Sequence, residues 1–338
     1  MYNFYKLIFY ITLVLGTLLA ISSSSWIISW IGLELNLLSI IPLMKSSTLK
    51  SSEATIKYFI TQAIASSILL FSVILISLSP QEFYSATMGS TLPMLMVMSA
   101  LMMKMGAAPF HSWVPEVSSG LNWMMVFTVL TIQKLAPMVL IMYTAMILDF
   151  MFLIILLSSF VGSLMGLNQV CLKKLLAYSS INHIGWMLAS LMCSYSTWLI
   201  YYLIYCLMNF NIMIIFNKFK ISYLSQLNQI FSLNKAFKIM FMMNFLSLGG
   251  LPPFLGFLPK WMAVNQLINI DMHTMAFLLI ISSLISLYFY LRITFTSLTL
   301  LTFEKNSKFT SNSGSSFVPI SCFLSLFSLP LFPIINLL

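Results

Sequence analysis

Residues 101–116 read LMMKMGAAPFHSWVPE, and residues 246–261 read LSLGGLPPFLGFLPKW. Each stretch sets a lysine, Lys104 or Lys260, beside a run of helix breakers in apolar surroundings. Gly106, Pro109 and Pro115 follow Lys104, whereas Gly249, Gly250, Pro252, Pro253, Gly256 and Pro259 precede Lys260. Glycine and proline interrupt the i→i−4 ladder and release backbone carbonyl and N–H groups. In lipid, broken backbone is tolerated only where it packs in protein or lines a cavity. A packing kink would explain either break by itself. An ionisable residue beside both points to an ion path through two discontinuous helices.

The rest of the chain has the composition of a membrane protein. Of 338 residues, 60% are hydrophobic and 7% charged, against about 25% charged in soluble domains. With a mean hydropathy of +1.00, a water-soluble fold is excluded. Long apolar runs without strict alternation select helices over a barrel. The expected fold is therefore all-α and polytopic, with about 11 transmembrane helices, two of them discontinuous. The spans are expected at 4–22, 25–44, 55–78, 91–115 (broken), 122–145, 150–168, 174–193, 196–216, 238–267 (broken), 274–296 and 317–337. They form one transmembrane domain over 1–338. It comprises short N-terminal helices (1–44), a first half with a broken helix (45–145), a second half with a broken helix (150–296) and a C-terminal helix (317–337).

Charge placement gives the orientation. If the N-terminus is inside and the spans alternate, the inside segments hold thirteen of the sixteen basic residues. The outside loops then hold Glu82, Asp149 and Asp271 and no basic residue, as the positive-inside rule requires. Segment 217–237 is a long basic connection in which Leu224, Leu227 and Phe231 recur at helical spacing, suiting an interfacial helix. The net charge of +9 is spread between spans rather than along one face, so nucleic acid is not the expected partner. Cys171, Cys193, Cys206 and Cys322 form no metal-binding pair, and no Gly-rich nucleotide loop occurs. The chain is expected to bind no metal, flavin, iron–sulfur cluster or NADH, and so to oxidise no NADH itself.

Three basic residues, Lys104, Lys134 and Lys260, fall inside apolar spans, as does Glu34 in WIISWIGLELNLLSIIP (26–42). A charge at mid-bilayer costs roughly 3 kcal/mol or more, so such groups face a polar interior and a partner. Snorkelling is the alternative, but about ten apolar residues flank Lys104 and Lys134 on at least one side. Glu53 and Lys57 stand at i,i+4 after Ser51 and Ser52, the pattern of a helix cap and a surface pair. Glu116 is assigned a structural place, and tyrosines and tryptophans near span ends are read as interface anchors.

Five runs carry a family resemblance: SSEATIKYFITQAIAS (51–66), KMGAAPFHSWVPEV (104–117), IQKLAP (132–137), KKLLAYSSINHIGW (173–186) and LGGLPPFLGFLPKW (248–261). In this order they resemble the antiporter-like membrane subunits of NADH–ubiquinone oxidoreductase (respiratory complex I), among them subunit 2 in its short animal form. Several of the runs are shared with Mrp-type cation/proton antiporters. The resemblance implies a proton-translocation path through Glu34, Lys104, Lys134 and Lys260. His111 and His183 are candidate relays within its motifs; a loop histidine and a hydrogen-bonded helix histidine are the plainer readings. It also implies a place in the mitochondrial inner membrane among other complex I subunits, neighbouring antiporter-like ones included, with NADH, flavin, clusters and ubiquinone on other chains. A stand-alone Mrp-type antiporter subunit and a membrane scaffold without transport remain open.

Overall fold

The computed structural model describes residues 2–78, 88–144, 147–227 and 235–299. Thirteen α-helices run through them: α1 (Tyr2–Ser22), α2 (Trp26–Met44), α3 (Leu49–Leu78), α4 (Met88–Met105), α5 (Trp113–Gly120), α6 (Trp123–Leu130), α7 (Ile132–Met142), α8 (Leu148–Gly166), α9 (Leu172–Cys193), α10 (Tyr195–Phe219), α11 (Lys235–Gly249), α12 (Phe257–Asn269) and α13 (His273–Thr299). Among the described residues, seven stretches are long and apolar enough to cross a membrane: α1, α2, α3, α6 with α7, α8, α10 and α13. Of the other four expected spans, two are the broken ones and one matches α9, which serine, asparagine and histidine make more polar. The fourth, 317–337, lies outside the described residues, as do Glu82 and Cys322. In the basic connection, Leu224–Leu227 forms a 3-10 turn, and Phe231 is outside the described residues.

Two compact units divide the chain, Met1–Ile154 and Ile155–Leu338. In the first, α1 and α2 lie in close contact because glycines face backbone. A Cβ on Gly16 would come 2.9 Å from Asn36 N, and one on Gly32 would come 2.6 Å from Ala20 N. Small residues let membrane helices approach in this way where apolar burial gives no drive. The contact fixes α2, which carries Glu34. Helix α2 starts at Ser25, whose hydroxyl accepts from Ile28 N–H.

Both predicted breaks are present and use the same stop. Helix α4 ends at Gly106 (φ 76°), with Gly106 N–H donating to Met103 O and Ala107 N–H to Met102 O. Helix α11 ends at Gly250 (φ 81°), with Gly250 N–H donating to Ser247 O and Leu251 N–H to Leu246 O. This is the Schellman arrangement, in which a glycine at positive φ closes the last carbonyls of a helix. The chain resumes as α5 after the first stop and as α12 after the second.

A third discontinuity falls where one span was expected at 122–145. Thr131 (φ −118°, ψ −77°) separates α6 from α7. Its hydroxyl donates to Phe127 O, and Lys134 N–H turns to Thr131 O. Pro137, with no N–H, takes the next link out of the ladder.

In the second unit, the single arginine closes the α8–α9 connection. Arg292 donates from Nη1 to Leu167 O and from Nη2 to Gln169 O, both at 2.7 Å. A guanidinium holds two carbonyls at once, which an ammonium cannot do in the same geometry.

Candidate functional site

The first unit places Lys104 in the last turn of α4, against the Gly106 stop, where the helix dipole favours a cation. Its side chain is 4% exposed. Around it lies a cavity of about 10 Å³, room for one water, lined in part by Asn36, Tyr58, Gln62 and Gln133. Gln62 Nε2 donates to Lys104 O (3.3 Å), and Gln133 Nε2 donates to Asn36 Oδ1 (2.7 Å). Glu34 is half-buried on α2 and interacts electrostatically with Lys104, although the two are not in ion-pair contact. Lys134, 1% exposed, follows Gln133 at the start of α7. Of the predicted charges, Lys104 lines this cavity, Glu34 acts on Lys104 through its charge, and Lys134 adjoins the lining residue Gln133 in sequence.

Asn36, Gln62 and Gln133 were not among the predicted site residues. The available signal was an amide inside an apolar span, which is costly to bury without a hydrogen-bond partner. His111 sits in the loop after the break with Nδ1 3.2 Å from Pro109 O, and it does not line the Lys104 cavity. The predicted surface pairing of Lys57 with Glu53 needs correction. Lys57 Nζ donates to Glu116 Oε2 at 2.6 Å, linking α3 to α5, while Glu53 acts on it only electrostatically. Both partners are 52% exposed, and Glu116 does tie elements together as expected of a structural residue.

In the second unit, Lys260 lies in the first turn of α12, a poor place for a cation by itself. Its ammonium reaches back to the end of α11, donating to Gly249 O at 2.9 Å and lying 5.8 Å from the centroid of the Trp186 ring. Lys260 is 7% exposed. Both broken-helix lysines therefore belong to the carbonyl end of the first half-helix, Lys104 by position and Lys260 by reach. His183 on α9 is buried with Nδ1 3.0 Å from the Tyr201 hydroxyl. Trp198, Tyr201, Tyr202 and Tyr205 on α10 are buried too and pack the interior, while Tyr195 at the start of α10 is exposed. Among the described residues, no group of three or more His, Cys, Asp or Glu could hold a metal ion.

A polytopic helical chain with buried ionisable groups beside broken helices has the makings of an ion-translocating membrane protein. The chain belongs to the NADH:quinone oxidoreductase/Mrp antiporter transmembrane family, whose model matches residues 23–286, and within it to the NADH–ubiquinone oxidoreductase chain 2 proteins. It is 44% identical to the Anopheles gambiae chain 2 across 90% of this chain and 89% of that one. With Locusta migratoria chain 2 the identity is 42%, over 96% and 94%. A chain of respiratory complex I from Thermus thermophilus superposes with a TM-score of 0.84 at 26% identity, covering 98% of this chain and 78% of that one. The Mrp complex of a Dietzia species shares the fold at a TM-score of 0.75 and 16% identity, over 84% of this chain and 59% of that one. Membership of the chain 2 family makes the protein a multi-pass membrane subunit of a respiratory NADH–ubiquinone oxidoreductase.

Proposed function

We propose that this subunit carries protons across the inner mitochondrial membrane, driven by electron transfer from NADH to ubiquinone on other subunits of the complex. The observation that carries this reading is the burial of Lys104 against a polar cavity, with Glu34 near enough to act on it and Lys134 buried next in sequence to the lining residue Gln133. A carboxylate that moves toward or away from a buried lysine changes the cost of its charge. Lys104 would load and release under the control of Glu34, Lys134 would take the proton laterally, and Lys260 would control its exit. Buried amides and serines, with water, would link these steps. No redox cofactor is assigned to this chain, so NADH, flavin, iron–sulfur clusters and ubiquinone belong to its partners. Membrane lipids and neighbouring antiporter-like subunits would cover its apolar outer faces.

Ion flux separates this function from stand-alone antiport. Moving one charge against 100 mV costs about 2.3 kcal/mol, which has to come from outside a chain without a redox centre. The purified chain in vesicles should exchange no protons for sodium, whereas the assembled enzyme should take up protons when NADH is oxidised. Sodium-driven proton flux through the chain alone would favour the antiporter reading. That reading has the weaker likeness on its side, 16% identity to the Mrp chain.

The N-terminus is assigned to the matrix side and the C-terminus to the intermembrane space, on the thirteen-to-none split of basic residues. Cysteines introduced at Lys218 and at Asp271 should label from opposite sides of the membrane, Lys218 from the matrix. Labelling of both from one side would refute the assigned orientation.

A further inference from the structure

His183 and Tyr201 meet in the second unit beside the second broken helix. The histidine is 6% exposed and the tyrosine 1%, and the hydroxyl lies 3.0 Å from Nδ1. The Tyr205 ring tilts against the imidazole at 5.2 Å, and its own hydroxyl bonds the side chains of Ser180 and Asn209. A cavity of about 10 Å³ opens between His183, Tyr201, Tyr205, Ser247, Gly256 and Pro259, next in sequence to Lys260. It has room for one water.

An imidazole changes what Nδ1 needs when it takes up a proton. Neutral, with the proton on Nε2, Nδ1 is an acceptor; protonated, it is a donor. A backbone carbonyl serves only the second state. A hydroxyl serves both, because it can donate or accept by rotation. We propose that Tyr201 is a positioning residue for proton transfer: its hydroxyl satisfies Nδ1 of His183 in both protonation states, so that Nε2 exchanges protons through the cavity with the Lys260 break. This rests on the proton-path function proposed above.

The surrounding ionisable groups fit that role. Tyr201 and Tyr205 face the histidine from α10, while Tyr290 on α13 bonds Ser179 one turn back on α9. From α12 comes Lys260, over the Trp186 ring three residues beyond His183. Helix α11 lines the cavity with Ser247 and Leu248, and α8 meets α9 through Ser158 against Gly185. On α9 itself, Lys173 and Lys174 stand nine or more residues away.

The test is Tyr201→Phe in the fully assembled enzyme, beside His183→Gln, the double variant and Tyr202→Phe. Phenylalanine keeps the ring and removes the hydroxyl. The NADH-driven proton uptake carried by this subunit should slow about tenfold, the effect of one lost hydrogen bond in a transfer step. The alkaline limb of its pH profile should move to lower pH by roughly half to one unit, because the imidazolium loses a charge-assisted bond. The double variant should pump no worse than His183→Gln alone, since Tyr201 acts through the histidine. Tyr202→Phe, which removes another buried hydroxyl from α10, should leave the profile in place. Wild-type rate and pH profile in Tyr201→Phe, or additive losses in the double variant, would overturn the inference. If Lys134→Met blocks pumping while Tyr201→Phe does not, only this inference fails. If Lys134→Met pumps normally, the proton path fails and takes this inference with it.

Discussion

Lys134→Met should abolish proton movement through this subunit in an enzyme that still assembles. Lys134 is 1% exposed and stands at the start of α7, between the Thr131 interruption and Pro137. Methionine has nearly the same length and an adaptable, unbranched side chain, so it fills the same space. Removing a charge from an apolar interior also relieves a desolvation cost, which favours folding. What is lost is the only protonatable side chain on that helix. A bare charge at mid-bilayer costs roughly 3 kcal/mol or more, so a proton crossing that position on water alone is slowed by about a hundredfold. Lys57→Met is the control: Lys57 is half-exposed and paired to Glu116, and an exposed pair contributes little. The measurement is proton uptake per NADH oxidised in reconstituted enzyme, with subunit content checked separately. Lys134→Met should lose this subunit's share of the protons, and electron transfer with it if the steps are tightly coupled; Lys57→Met should keep both. An unaltered ratio and rate in assembled Lys134→Met would make the lysine structural.

The contrast between those two lysines shows what the sequence revealed and what it did not. Lys104 and Lys260 were legible because local chemistry announces them: a charge in an apolar run, with glycine and proline beside it. The Schellman stops at Gly106 and Gly250 are local too, set by residues within one turn. Lys57 was misread because its partner, Glu116, lies 59 residues away, and a helix-spacing rule sees only Glu53. The Gln133–Asn36 bond spans 97 residues and is invisible for the same reason. Thr131 breaks its span without a glycine, and Pro137 marks the disturbance only six residues later. Trp198, near the start of its expected span, suits an interface anchor by position, yet it is buried and stacks on Tyr202. For Lys57 and Gln133 the deciding contact lay across the bundle, whereas at Thr131 it is local, made to Phe127 and Lys134.

Glu34→Gln should slow proton uptake strongly, while Glu34→Asp should be mild. Glu34 reaches Lys104 through its charge rather than through contact. At an effective dielectric of about 20, two unit charges 4 Å apart interact by about 4 kcal/mol, and at twice that separation by about 2 kcal/mol. The second figure suits a pair out of contact, and it corresponds to roughly a thirtyfold change in the proton occupancy of the lysine. Glutamine is isosteric and uncharged, so it removes this coupling and leaves the packing of α2 on α1 intact. Aspartate keeps the charge and withdraws it by one methylene, which weakens the coupling without ending it. The uptake carried by this subunit should therefore fall about ten- to thirtyfold for Gln and less than about threefold for Asp. Both variants should assemble, because the glycine contacts that seat α2 lie at Gly16 and Gly32 rather than at position 34. Equal losses for Gln and Asp would mean that the shape of the side chain, not its charge, matters at this position. Lys104 would then load without a carboxylate to tune it, and the switch would have to be sought in the amides that share its cavity, Asn36, Gln62 and Gln133.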